Sequence, residues 1–335
     1  MESASPAPEP APGEVLVRVQ AVAICGSDVK TYHHGNPRIR PPQTMGHEFC
    51  GVIERCGEAV DNYRAGQRVT MATTMGCGEC MECHAGRRNI CSDLQAMGFH
   101  HEGAMAPWVL IPERGVRGGN LIEVGELAPE IAALSEPTSC VVNSLSRLEG
   151  RGGKSMLVIG LGPLGLLHGM MARELGFTSV VGAARPGPRF EAARHFGFDA
   201  VVDAKDLPAA VKAHTGGRGF DAVMVTAPSA DMQSLAPEYT APGGAVSLFA
   251  SLPKGGESIT LNSRTVHYKE QNVYGVSDST PAHVARAVAW LSGHAREAEK
   301  LITHRYPLSE FPTALRDVIE RRALKAVLFP EESRP

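Results

Sequence analysis

Between Lys154 and Leu166 the chain reads Lys-Ser-Met-Leu-Val-Ile-Gly-Leu-Gly-Pro-Leu-Gly-Leu. The apolar run from Met156 to Ile159 stops at a glycine, and an apolar pattern with helical spacing then continues to Leu175. That order gives a buried strand, a tight turn and a helix start. Gly160, Gly162 and Gly165 stand at G-x-G-x-x-G spacing, with Pro163 and Leu164 between the last two. The first glycine makes the turn, the second lets backbone approach a pyrophosphate, and the third lets helix pack on strand. The phosphates would sit at the positive end of the helix dipole. A glycine turn between strand and helix also occurs without a ligand, so context decides. Strand-like runs recur at 179–182, 200–203, 221–226, 245–250 and 272–276, separated by helix-like or loop segments. This is a doubly wound parallel sheet of about six strands, and the turn reads as a dinucleotide site.

The end of the second strand selects the nucleotide. A site for NAD places Asp or Glu there, about 20 residues on, to accept from the ribose 2′-OH. Here the chain reads Gly182-Ala183-Ala184-Arg185-Pro186-Gly187-Pro188-Arg189, with no carboxylate. Ala184 leaves room for a 2′-phosphate, and the guanidinium forks of Arg185 and Arg189 match its geometry. The competing reading is a solvated basic loop. NADP(H) is the expected cofactor, in preference to NAD(H).

Four of the eight cysteines crowd into fifteen residues, as Cys77, Cys80, Cys83 and Cys91 in C-x2-C-x2-C-x7-C spacing. Four thiolates on so short a lobe (76–92) are the ligand set of a closed tetrahedral zinc site, which stabilises by metal binding rather than by a core. Disulfides are the first alternative, disfavoured because such close spacing strains most pairings. A zinc ribbon that grips nucleic acid is the second. Against it stand a net charge of −3, few aromatics and no basic tract. Clustered thiols in a long enzyme-like chain point to a reducing, cytoplasmic compartment. No apolar run approaches the roughly 20 residues of a membrane span, and no signal-peptide pattern opens the sequence.

The rest of the chain supports a second, mostly antiparallel and barrel-like domain. Residues 1–13 are rich in Ala, Pro, Glu and Ser and read as a mobile or edge segment, before a strand at 15–22. Cys25-Gly-Ser27-Asp28 comes next, then a polar loop with His33, His34 and several prolines, then Met45-Gly46-His47-Glu48. Residues 57–69 read as tight turns and 103–111 as a strand. A helix pattern opens at Ser135-Glu136-Pro137 and runs to Leu148. Near the end lie an amphipathic helix over 281–291, with Val284, Ala287, Val288 and Leu291 on one face, a helix to Arg321 and a strand at 326–329.

Cys25-Gly-Ser27-Asp28, Gly46-His47-Glu48, the four-cysteine lobe, Ser135-Glu136-Pro137 and the glycine run, in this order, resemble the zinc-dependent medium-chain dehydrogenases. The resemblance extends from about Pro8 to Pro330. Glu136-Pro137 brings it nearest to the sorbitol (polyol) and threonine dehydrogenase branches. It implies an α/β chain with a GroES-like catalytic domain (1–138), a Rossmann nucleotide domain (139–276) and a C-terminal segment (277–335) returning to the first. It also implies two zinc ions per chain.

By resemblance, Cys25 and His47 hold a catalytic zinc, Glu136 completes the site directly or through water, and Glu48 swings in during turnover. Thiolate, imidazole and carboxylate are good zinc ligands, and three of them leave a position open. The bland alternatives are a packed core histidine for His47 and helix N-terminal charge for Glu136. The metal polarises the substrate hydroxyl, Ser27 takes up or passes on the proton, and hydride passes to the nicotinamide. Thr226, in Thr226-Ala227-Pro228, and Ala250, in Phe249-Ala250-Ser251, fall where relatives line the adenosine and nicotinamide pocket, and Lys325 matches a basic position that reaches the pyrophosphate. Cys50, Cys56 and Cys140 read as packed thiols.

Some features depart from the family pattern. Lys30 stands where many relatives carry the outer histidine of a proton relay, so Lys30, His33, His34 or water would complete that path. A Pro-rich start replaces the usual strand hairpin. His100-His101-Glu102 replaces a short Asp-Gly turn, and the reading favours side chains facing water over a lining of the cleft. The expected substrate is a secondary alcohol of a polyol, sugar alcohol or cyclitol, on a homodimer or homotetramer with no nucleic-acid or membrane partner. The alternatives are reduction of an amino-alcohol or small ketone, and a non-catalytic NADPH-binding redox sensor, which would have little need of an open zinc site.

Overall fold

The computed structural model describes residues 7–330. They fall into two compact units: residues up to Ser139 together with Asp278 onward, and Cys140–Ser277. The first unit is therefore built from both ends of the chain. No helix of the described residues is long and apolar enough to cross a membrane.

In the first unit a seven-stranded sheet is organised around the strand Val15–Ala23. Val15, Val17, Val19 and Val22 are buried and pack with Phe49, Ile53, Met71 and Ile111. These branched and aromatic side chains suit a pleated, half-covered surface. Val15–Ala23 pairs antiparallel with Glu48–Cys56, with Trp108–Ile111 and with the last strand, Lys325–Phe329. Two registers matter. Ala23 pairs with Glu48, so Cys25 and His47 leave their strands at the same end of the sheet. Ala23 also pairs with Val327, and the amide of Ile24 donates to the carbonyl of Ala326, which brings Lys325 to that end too. The pair Ile302–Pro307 and Lys325–Phe329 is parallel, so this sheet is mostly rather than wholly antiparallel.

Two readings of this unit need correction. The strand expected over 103–111 is confined to Trp108–Ile111. Gly103, Ala104 and Met105 instead donate to the carbonyls of Thr44, Gly46 and Met45, and Pro107 lacks an N–H with which to extend a ladder. Of the Pro-rich start, residues 1–6 lie outside the described residues. The segment from Pro8 to Glu14 is tied down: the Arg55 guanidinium donates to Pro8 and pairs with Glu9, and the amides of Gly57 and Ala59 donate to Glu14 and Pro12.

The second unit is a six-stranded sheet, all parallel. The order is Ala200–Asp203, Ser179–Ala184, Ser155–Ile159, Phe220–Val225, Thr240–Leu248, Asn272–Gly275. In chain order this is 3-2-1-4-5-6, so neighbours diverge from the first strand and leave a crevice at its carboxyl end. Ser155–Ile159 is buried at every position, as a central parallel strand must be. The helix after it is α-helical only over Pro163–Met171. It tightens to a 3-10 turn over Ala172–Leu175 and ends at Gly176 in the left-handed region. In the first unit the helix Pro281–Gly293 buries Val284, Ala287, Val288 and Leu291, as its periodicity predicts, and the last helix stops at Ile319.

Candidate active site and metal centres

Cys25 lies two residues beyond the central strand and caps the helix Gly26–His34. Its amide donates to the Asp28 carboxylate at 2.8 Å, which fixes the turn. One ligand atom each from Cys25, His47 and Glu48 can be chosen so that all lie within 4.8 Å of one another. Ser27 Oγ is 3.3 Å from His47 Nε2, and the Asp28 carboxylate is 3.8 Å from Nδ1. Phe99 rests its ring on the same imidazole, 5.3 Å between centroids. Glu136, in the first turn of the helix Ser135–Ser146, is buried outside the 4.8 Å set, within electrostatic reach of His47 and Glu48.

Charge is concentrated in this buried pocket. Burial pushes the Glu136 carboxyl up to about 7, His47 opposes that shift and Glu48 adds to it. Burial alone would lower the His47 imidazole. The negative charges of Cys25 and Asp28 outweigh it and hold the group well above its ordinary value. Asp28 is itself raised by burial, with His47 opposing. Lys325 Nζ pairs with the Glu48 carboxylate and donates to the Ile24 carbonyl at 3.2 Å. Glu48 and Cys25 keep it protonated against burial.

The four-cysteine lobe contains only free thiols. Sγ of Cys80 lies 3.7 Å from that of Cys91, and Sγ of Cys77 lies 4.0 Å from that of Cys83. A disulfide would hold these atoms at about 2.05 Å. Four sulfurs each about 2.3 Å from a tetrahedral metal would stand about 3.8 Å apart. Backbone amides of Glu79 and Cys80 donate to Cys77 Sγ, and those of Cys77 and Asp93 to Cys91 Sγ. Amides of Cys83 and Ser92 pull the Cys80 thiol down to about 6. Amide donors lower the Cys77 thiol too, whereas burial pushes that of Cys83 up to about 12, so thiolate, the form that binds metal, is favoured at Cys77 and Cys80.

In the second unit, Gly160 adopts φ +105° and a Cβ on Gly165 would lie 1.9 Å from the Gly160 carbonyl oxygen. Both positions require glycine. Thr226 Oγ1 donates to that carbonyl at 2.7 Å and so locks the turn. Gly162 caps the helix and Pro163 starts it. The Arg189 guanidinium, in the first turn of Pro188–Ala193, lies 3.8 Å from where a Gly162 Cβ would stand. Ala184 ends the second strand and Arg185 beyond it is exposed. Leu164 O accepts from His168 Nδ1 at 2.7 Å, leaving Nε2 to accept from the Ser144 hydroxyl at 3.1 Å. The Ala250 carbonyl accepts from Gln233.

Residues 11–118 match the family model for the alcohol dehydrogenase GroES-like domain, and residues 163–293 match the one for zinc-binding dehydrogenases. The chain is 31% identical to an L-threonine 3-dehydrogenase of Caldanaerobacter subterraneus subsp. tengcongensis, over 96% of this chain and 93% of that one. It is also 31% identical to a sorbitol dehydrogenase of Halalkalibacterium halodurans, over 96% and 94%. Among solved structures, a Sinorhizobium meliloti 1021 protein described as a zinc-binding dehydrogenase, bound to NADP, superposes with a TM-score of 0.87. It is 31% identical, over 97% of this chain and 94% of that one. The chain belongs to the zinc-dependent alcohol dehydrogenases.

As a member of that family it is an oxidoreductase with a GroES-like domain and a Rossmann domain. The residues present fit the family's metal: a thiol, an imidazole and a carboxylate offer donor atoms within 4.8 Å of one another, a set that zinc takes. Lys325 departs from expectation. Its ammonium is buried and engaged by Glu48 and Ile24. His100 and Glu102 are exposed, as a water-facing turn predicts, and His101 is half-buried; all three also hold the turn through polar contacts. His100 Nδ1 accepts from the Ala96 amide, His101 Nε2 is 2.8 Å from Gln95, and Glu102 accepts from the Thr44 amide. Lys30, His33 and His34 are exposed on the helix Gly26–His34. Sequence reasoning left Asp28 without a role, although a carboxylate three residues after a metal-binding cysteine was a usable signal. Phe99 gave none.

Proposed function

We propose that this dehydrogenase interconverts a secondary alcohol of a polyol, sugar alcohol or cyclitol with its ketone, using NADP(H). The convergence of Cys25, His47 and Glu48 donor atoms within 4.8 Å, with buried Glu136 near them, carries the reading. Cys25, His47 and Glu136 would hold the catalytic zinc, and Cys77, Cys80, Cys83 and Cys91 a second, structural one. When bound, the catalytic zinc supplies Lewis acidity towards the alcohol oxygen and the nicotinamide supplies the hydride acceptor.

The protein's own groups do the rest. Asp28 orients the imidazole of His47, as a carboxylate behind a metal-binding histidine does. Ser27 Oγ, beside His47 Nε2, would relay the substrate proton, accepting it while passing its own on to water. Lys325 restrains Glu48 at the edge of the cluster, as an exchangeable donor. The amide end of Pro163–Met171 receives the pyrophosphate, and Arg185 and Arg189 receive the 2′-phosphate. NADP in the Sinorhizobium meliloti structure supports this choice. The outermost strand of the second sheet, Asn272–Gly275, has one unpaired edge on which a homodimer would form.

Initial rates with NADP⁺ and NAD⁺ over polyols, cyclitols and simple secondary alcohols, with and without a chelator, test the reading. Chelator-sensitive turnover that prefers NADP⁺ is expected. Preference for NAD⁺ would remove the 2′-phosphate assignment, and chelator-resistant turnover would remove the zinc assignment. The identity to L-threonine 3-dehydrogenases favours a second reading, oxidation of an amino alcohol, so L-threonine belongs in the panel.

A further inference from the structure

The loop from Ala96 to Glu102 is tied down at almost every polar atom. The amides of Phe99, His100 and His101 donate to the Ala96 carbonyl. Gln43 Nε2 donates to the carbonyls of both Phe99 and His101, at 3.0 and 2.9 Å. The side chains of His100, His101 and Glu102 are taken up by Ala96, Gln95 and Thr44. One side chain of this stretch has no part in anchoring it. Phe99 is half-buried and places its ring 5.3 Å from that of His47, tilted by 43°.

Holding His47 in place does not require that ring, because Asp28 and Ser27 already flank the imidazole on its two nitrogens. A substrate whose oxygen reaches a metal on His47 has its next carbons within the span of a neighbouring aromatic side chain. A phenyl face carries negative potential and offers hydroxyl groups no hydrogen-bonding atom, but it packs well against polarised C–H bonds. A ring or folded chain with hydroxyls on its edge and C–H on its face fits such a wall. A two- or three-carbon alcohol is too small to cover it.

We infer that Phe99 is a specificity-determining residue, an aromatic wall that selects carbohydrate-like alcohols presenting a C–H face, cyclitols first. The inference rests on the proposed polyol reading and narrows it.

Phe99→Ala and Phe99→Leu can be compared with the parent zinc-loaded protein in three measurements. These are kcat/KM with NADP⁺ for myo-inositol, sorbitol, L-threonine and 2-butanol; the myo-inositol dissociation constant of NADPH-saturated protein by calorimetry; and bound zinc per chain. Phe99→Ala should weaken myo-inositol binding roughly tenfold and lower its kcat/KM relative to that of 2-butanol by a similar factor. Phe99→Leu should have a smaller effect, with zinc at the parent level in both. Equal losses for every substrate, loss of zinc, or unchanged myo-inositol affinity would each overturn the inference, leaving Phe99 a packing residue of His47. A parent that binds myo-inositol without oxidising it sinks the polyol dehydrogenase reading, while the change in dissociation constant still decides Phe99. A parent that binds neither carbohydrate overturns the inference itself.

Discussion

Lys325 and Glu48 form an ion pair in which both side chains are almost wholly buried. A buried pair is weak support for stability as a whole, but breaking it by removing one partner leaves an uncompensated charge. Lys325→Met should therefore cost about 3–5 kcal/mol in urea unfolding, and pairing it with Glu48→Gln should recover most of the loss. The penalty should be largest after chelation, since a cation at the cluster offsets the Glu48 charge. A single variant as stable as the parent would contradict the burial of the pair.

Asp28 touches both ends of the cluster, the amide of Cys25 and the far nitrogen of His47. Asp28→Asn keeps the shape and removes the charge. Zinc affinity, measured by competition with a chromogenic chelator, should fall roughly tenfold to a hundredfold, with the four-cysteine site unaffected. Loss of both metals together would instead indicate a folding defect.

Cofactor choice should turn on the end of the second strand. Arg189→Ala should raise the KM for NADP⁺ by on the order of tenfold, through a lost charge-assisted contact, while changing that for NAD⁺ much less. Adding Ala184→Asp supplies the ribose acceptor and should move preference towards NAD⁺. Parallel changes in both constants would place the arginine elsewhere.

His168 gives the second unit an acid limit. Burial drives its imidazole down to about 4, against a hydrogen bond to Leu164 that opposes the shift. The folded value lies below the unfolded one, so the unfolded chain binds more protons between the two. The stabilising contribution is complete above about pH 6.5 and is lost as the pH falls towards 4. The loss should amount to on the order of 3 kcal/mol. Urea midpoints across that range for the parent and His168→Leu should converge on acidification, and parallel lines would refute the assignment.

The sequence exposes what is local. The glycine turn, the cysteine lobe and the short words around Cys25 and His47 each carry their spacing within a few residues. The inner strands of the second unit's sheet, Ser155–Ile159 above all, are legible because a buried parallel strand is a continuous apolar run. What escapes is set by register across long separations. Lys325 meets Ile24 only because the last strand pairs with the first, and nothing local to Lys325 announces it. Phe99 reaches His47 through a loop whose shape depends on Gln43. The strand expected over 103–111 fails for a related reason: its first residues bond to the backbone of Thr44–Gly46 instead of to a neighbouring strand.

The first unit contains the opening and the closing segments of the chain, with the nucleotide unit inserted between them. On the ribosome, Cys25, His47 and Glu48 emerge long before the strand Lys325–Phe329 that pairs with Val22 and Ala23 and delivers a countercharge to Glu48. During synthesis Glu48 is made without the ammonium that later pairs with it. A nascent chain stalled before residue 325 should therefore have a folded nucleotide unit and a first sheet that still lacks its closing strand and the buried partner of Glu48.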